Sequence, residues 1–229
     1  NGRRLFIAAL RDITEQREAE RVLQRSRAEL EVLVEQRTRE LNESNQRLLQ
    51  EIERHKRTQS ELEHMARHDP MTHLPNRSLF TEHLRHNLSR ARRRELQTAL
   101  LFIDLDGFKP INDQHGHEVG DHLLQAVATR LAAITRSEDL VARIGGDEFT
   151  LVLAGETEIR DQAAIVATKI IQALNVPFAV SNLELHIGAS IGISLYPYDA
   201  EDDETLLRHA DQAMYRAKQQ GRNRYAFYQ

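Results

Sequence analysis

The chain has 229 residues, a formal charge of −4, 29% charged and 40% hydrophobic residues, which is room for one ordinary domain plus an extended segment. That balance excludes a charge-driven nucleic-acid binder, and the lack of cysteine excludes a disulfide framework and thiol chemistry. No apolar run reaches bilayer length and no signal peptide is visible, which gives a soluble, cytoplasmic reading; without an initiator Met at Asn1, the chain reads as a piece of a longer protein that could be membrane-attached.

In chain order, residues 4–10 (Arg-Leu-Phe-Ile-Ala-Ala-Leu) read as a short strand with nothing nearby to pair with, followed by Asp12-Ile13-Thr14. These residues resemble the last strand and exit motif of a PAS sensory domain, so residues 1–14 are expected to be the end of an upstream sensory domain. Residues 15–67 hold no Pro or Gly and are rich in Glu, Gln, Arg and Leu, a strongly helical composition. Spacings of three and four through Leu23, Leu30, Val34, Arg37, Leu41, Asn45, Leu48, Ile52, His55, Gln59, Leu62 and Ala66 give a coiled-coil seam. Successive fours around Leu41 depart locally from the heptad. A helix this thin, roughly 75 Å long at 1.5 Å per residue, cannot bury its stripe alone, so a parallel homodimer is expected. The polar seam members either fix register or hold the coil between two packings that a sensor can shift.

Asp69-Pro70 ends the long helix. A second helix is predicted over 78–94, with Arg90, Arg92, Arg93 and Arg94 on a solvated face, then a strand over 98–105 and a helix from 108 to 135. Strands 140–144 and 149–154 follow as a hairpin, then helix 158–174, an antiparallel pair at 178–181 and 184–195, helix 202–219 and strand 224–228. Helices interleaved with a mostly antiparallel sheet define an α+β layered domain over 68–229.

Two segments carry the chemistry. The run Phe102-Ile103-Asp104-Leu105-Asp106-Gly107-Phe108-Lys109 ends a buried-type strand in acids. Carboxylates there suit a hard cation such as Mg²⁺ (or Mn²⁺), which takes one or two of them plus substrate phosphate oxygens. The run Arg143-Ile144-Gly145-Gly146-Asp147-Glu148-Phe149 puts two glycines at the hairpin turn, lifting Asp147 and Glu148 to a tip that backbone and ligand can approach closely. Either segment alone is compatible with an ordinary turn or a solvated strand cap. Together they closely resemble the GGDEF family of diguanylate cyclases, over roughly residues 68–229. The likeness extends through Asp69-Pro70-Met71-Thr72-His73-Leu74-Pro75-Asn76-Arg77, Ile111-Asn112-Asp113, Gly116-His117, Gly120-Asp121 and Ala217-Lys218-Gln219-Gln220-Gly221-Arg222-Asn223.

The resemblance implies a ferredoxin-like palm that joins two GTP molecules into cyclic di-GMP with release of two pyrophosphates, the chain dimerising so that each subunit brings one GTP. It assigns the metal to Asp104, the Leu105 carbonyl and Asp147, with Asp147 also accepting the 3′-hydroxyl proton and Glu148 in support. Gly107 and Phe108 amides, Gly146, Lys109, Lys218 and Arg222 are implied as phosphate contacts, Lys109 stabilising the transferring phosphoryl charge. Asn112 and Asp121 are implied to select guanine, with His117 a further substrate contact. Arg136 and Asp139 match the family's Arg-x-x-Asp product-inhibition site, whose plain alternative is a surface ion pair. His73 stands where a glycine is common, and Pro110 follows Lys109 where other residues are usual. The competing readings are a receptor that binds GTP or cyclic di-GMP without turnover, and a signal-relay fragment.

Overall fold

The computed structural model describes residues 14–136, 138–154 and 158–229; the strand expected at 4–10 lies outside them. The chain divides into two compact units, one ending at Glu61 and one spanning Leu62–Gln229. Helix α1 (Thr14–Arg67) has 54 residues, as its composition predicts. In the first unit it leaves Leu23, Leu30, Val34, Leu41, Leu48 and Ile52 at least half exposed, and Val22, Leu33 and Leu49 widen that stripe beyond the expected seam. Its Arg–Glu pairs, such as Arg25–Glu29 and Arg27–Glu31, are solvent-exposed and contribute little individually.

The second unit begins with the last turn of α1 and continues through α2 (Arg77–Arg94), β1 (Thr98–Asp106), α3 (Phe108–His115), α4 (His117–Ile134), β2 (Leu140–Gly145) and β3 (Glu148–Leu153). Then come α5 (Ile159–Leu174), β4 (Phe178–Val180), β5 (Leu183–Leu185), β6 (Gly188–Tyr196), α6 (Asp203–Gln219) and β7 (Arg224–Phe227). Five strands form one sheet in the order β2-β3-β1-β6-β7, antiparallel except where β7 joins β6 in parallel. This is the expected α+β arrangement.

Strand β1 lies at the centre and is apolar on both faces because helices cover both. Alternation sends Leu101, Ile103 and Leu105 into a core built with α4 and α5, with Leu123, Val127, Ala167 and Ile170 among its members. Leu100 and Phe102 enter a second core with Phe80 and Leu84 of α2 and Leu206 and Met214 of α6. By the same period, Asp104 and Asp106 emerge on the α2/α6 face at the strand's end.

Two expected elements are corrected. The helix over 108–135 is two helices, because Gly116 takes φ 87° and ψ 161°, a conformation open to glycine that no helix accommodates. The strand over 184–195 is also two: β5 pairs only with β4 in a separate ribbon, while β6 joins the main sheet. An apolar residue at every second position from Leu183 to Leu195, with no proline or paired turn residues between, concealed the passage between sheets at His186 and Ile187.

Candidate active site

The end of β1 is the centre of the site. Asp104 lies opposite Glu148 of β3 on one side and Ser190 of β6 on the other. The residue is 7% exposed and its Oδ2 is 2.7 Å from Lys218 Nζ, which α6 supplies from above the sheet. The Leu105 side chain is buried in the core, so only its backbone is offered to the site; its N–H donates to the Asp147 carbonyl at 3.2 Å.

Burial pushes the Asp104 carboxyl above its ordinary range; Lys218 opposes this, while the charges of Asp147 and Asp106 add to it. Glu148 is raised as well, first by burial and then by Asp104, Asp211 and Asp147. Asp211 is an exposed α6 residue that no sequence motif pointed to. Crowded carboxylates of this kind are relieved by a divalent cation. Among the described residues no group of three or more His, Cys, Asp or Glu side chains forms a self-sufficient metal cage. That donor set fits a cation such as Mg²⁺, which relies on one or two carboxylates, waters and substrate phosphates.

The hairpin differs in detail from expectation. Gly145 closes β2 after a register shift, the turn itself is Gly146-Asp147, and Glu148 already belongs to β3. Arg143 braces it: Nε and Nη2 donate to the Gly146 carbonyl at 3.0 and 2.8 Å, and Nη1 pairs with Asp69 at 2.9 Å. The backbone N–H of Arg143 also donates to the Pro75 carbonyl. Burial favours the neutral form of Asp69, but hydrogen bonds from Thr72 and Arg143 outweigh it and hold this carboxyl below its usual range. Sequence reading missed this brace, because 74 positions separate Arg143 from Asp69.

Gly107 caps α3 with φ 85°, and Phe108, nearly buried, opens the helix, so the backbone N–H groups there lie directly beyond the acids. Lys109 is exposed beside them. The Asn112 Oδ1 is buried without a hydrogen-bond partner, and a Cβ on Gly120 would fall 1.8 Å from it. An unpaired amide oxygen in a cradle that only glycine permits marks a place for a donor from outside. Asp121 follows Gly120 on α4, and His117, exposed, opens that helix. Arg222 is exposed four residues beyond Lys218.

Arg136 and Asp139 lie elsewhere. They line a depression with Leu153, Ile165, Val166 and Lys169, at the end of β3 opposite Glu148. The Asp139 carboxylate accepts from the Arg136 backbone N–H at 3.0 Å, a turn cap rather than the side-chain ion pair of the plain alternative, and burial raises this carboxyl.

Residues 66–224 match the family described as diguanylate cyclase, GGDEF domain, and the chain belongs to that family. It is 45% identical over 173 residues to MucR of Pseudomonas aeruginosa, a bifunctional diguanylate cyclase/cyclic di-GMP phosphodiesterase, covering 76% of this chain and 25% of the relative. The chain thus spans about a quarter of that relative's length. The GGDEF domain of TpbB (YfiN) from the same organism has a similar structure, with TM-score 0.69 and 42% identity over 71% of this chain and 94% of that one. So does the coiled coil and GGDEF domain of DgcB from Caulobacter crescentus in complex with c-di-GMP, with TM-score 0.69 and 26% identity over 77% and 93% of the two chains. No helix among the described residues is long and apolar enough to cross a membrane.

Proposed function

We propose that the chain is an active diguanylate cyclase converting two GTP into cyclic di-GMP and two pyrophosphates, the general activity of its family. The observation that supports this most directly is the convergence of Asp104, Asp147 and Glu148 at the end of β1, with Lys218 paired to Asp104. A bound Mg²⁺ or Mn²⁺ would be held by Asp104, the Leu105 carbonyl and Asp147, and would neutralise charge on the phosphates. Asp147, on the turn, takes the proton of the attacking 3′-hydroxyl, and Glu148 supports it. The amides of Gly107, Phe108 and Gly146, with Lys109, Lys218 and Arg222, hold the triphosphate and the charge that grows on it in the transition state. Asn112 Oδ1 accepts from the guanine edge, and Asp121 takes its N–H groups, with His117 a further contact.

Each subunit presents one nucleotide, so the two half-sites must meet. In this reading α1 forms a parallel coiled coil with a second copy, under the control of an upstream sensory domain. Arg136 and Asp139 bind the cyclic di-GMP product as a feedback brake, with the guanidinium forking onto a guanine edge.

The test is incubation of the chain with GTP and Mg²⁺ and chromatographic separation of the nucleotides. Cyclic di-GMP is expected from the parent, and Asp147→Ala is expected to lose turnover by about 10³-fold or more with its melting temperature kept. GTP bound without product would leave a receptor.

A further inference from the structure

The second acid of the Asp-x-Asp strand end has no place in the roles above, yet both oxygens of its carboxylate are engaged. Asp106 accepts from the Ser190 hydroxyl at 2.8 and 3.1 Å, through Oδ1 and Oδ2, and its Oδ2 also accepts from the backbone N–H of Asn223 at 2.9 Å. Ser190 is completely buried, so its hydroxyl is fixed in place. Asn223 lies 117 positions away, in the turn that follows α6.

That turn is unusual. Gly221, Arg222 and Asn223 have φ of 115°, 59° and 49°, three successive residues in the left-handed region and only one of them a glycine. Non-glycine residues stay there when their surroundings over-determine them. Here the Arg222 N–H reaches the Ala217 carbonyl at 3.2 Å. Asn223 lies against Gly188, where a Cβ would meet its Oδ1 at 3.1 Å. The Arg224 Nε also donates to the Arg222 carbonyl at 3.3 Å, and Asp106 supplies the anionic restraint, on the Asn223 N–H. Both groups donate here, and the carboxylate accepts from both while keeping its charge; an amide could hold the pair only by turning its NH₂ onto the Ser190 oxygen, and without that charge.

We infer that Asp106 is a positioning residue: with Ser190 it clamps the 221–223 turn so that Arg222, and Lys218 one helical turn before it, face the triphosphate of a bound guanine nucleotide. The inference rests on the proposed nucleotide site but makes its own demand on it. Without the clamp, the turn relaxes toward ordinary φ values and Arg222 swings away, while the guanine contacts at Asn112 and Asp121, on other elements, stay in place. Affinity for the phosphate tail therefore falls and affinity for the base does not.

The experiment is calorimetric titration of the whole chain in Mg²⁺ with two probes, α,β-methylene-GTP and GMP. Asp106→Asn and Ser190→Ala are each expected to lose about tenfold in affinity for the triphosphate analogue and less than about twofold for GMP. The double variant should be no worse than Asp106→Asn, because both break one clamp. The Mg²⁺ concentration for half-maximal binding of the analogue should stay unchanged. Equal losses for both probes, no loss, additive losses, or a raised Mg²⁺ requirement confined to Asp106→Asn would each overturn the inference, the last by making Asp106 a metal ligand. A parent chain that binds neither probe would instead sink the nucleotide reading beneath it.

Discussion

At Asp104 and Glu148 burial and neighbouring carboxylates favour the protonated forms, so at neutral pH both charges oppose folding. The sign follows from linkage. Below about pH 4 these groups are protonated in folded and unfolded chains alike, and the penalty is absent. As pH rises through the raised folded-state values, stability is lost. Glu148→Gln should accordingly melt above the parent at pH 8 in the absence of divalent cations, with the gap closing toward about pH 4. Scanning calorimetry at the two pH values checks this, and an equal gap at both would refute it. The acids at 104, 147 and 148 were legible as a candidate site because two short motifs carry them. Asp106 and Asn223 were each in view in a motif, but their meeting and the part of Ser190 were not, since only β6 and the parallel addition of β7 bring them together.

The loop joining α1 to α2 shows what sequence reading can see in an element and what it cannot. Pro70 marked the end of the helix, and Asn76 caps α2 by accepting from the backbone N–H groups of Ser78 and Leu79 at 2.9 and 3.1 Å. The same side chain donates to the Ala66 carbonyl at 2.8 Å, tying the end of α1 to the start of α2. His73, which stands where a glycine is common, has φ 60°, which explains why glycine is usual there. A side chain in that region costs about 1–2 kcal/mol, partly offset by the extra freedom a glycine loses on folding. His73→Gly should therefore stabilise the protein by about 0.5 kcal/mol, or roughly 1–2 °C in melting temperature. A lower melting temperature would show that the imidazole makes a compensating contact. Pro110, the other departure, is third in α3, where a missing N–H costs nothing. The two misread elements share a cause: pattern alone sees neither a single glycine leaving helical geometry at Gly116 nor a strand changing sheets at His186.

For the whole molecule, the apolar stripe of α1 dominates. Its leucines and valines in the first unit are half exposed or more, and a helix of this kind is stabilised mainly by burying such a face against another. The second copy proposed above would do so. Leu30→Lys combined with Leu41→Lys should convert the chain to a monomer in sedimentation velocity. GTP turnover should then fall by at least about tenfold, because two half-sites that no longer share a tether must meet by diffusion. Unchanged turnover in a confirmed monomer would separate the coil from catalysis.

Arg143 has a consequence at this scale too. Its guanidinium touches Asp69, one residue past the isolated bridge of His68 to Pro75, and the carbonyl of Gly146 next to Asp147. The planar fork has little compliance, so a displacement of Asp69 by a fraction of an ångström must either be transmitted to the Gly146–Asp147 turn or break the grip. Rigidity at the Gly146–Asp147 turn is therefore anchored in the loop that follows α1, and whatever loosens that anchor also loosens the turn.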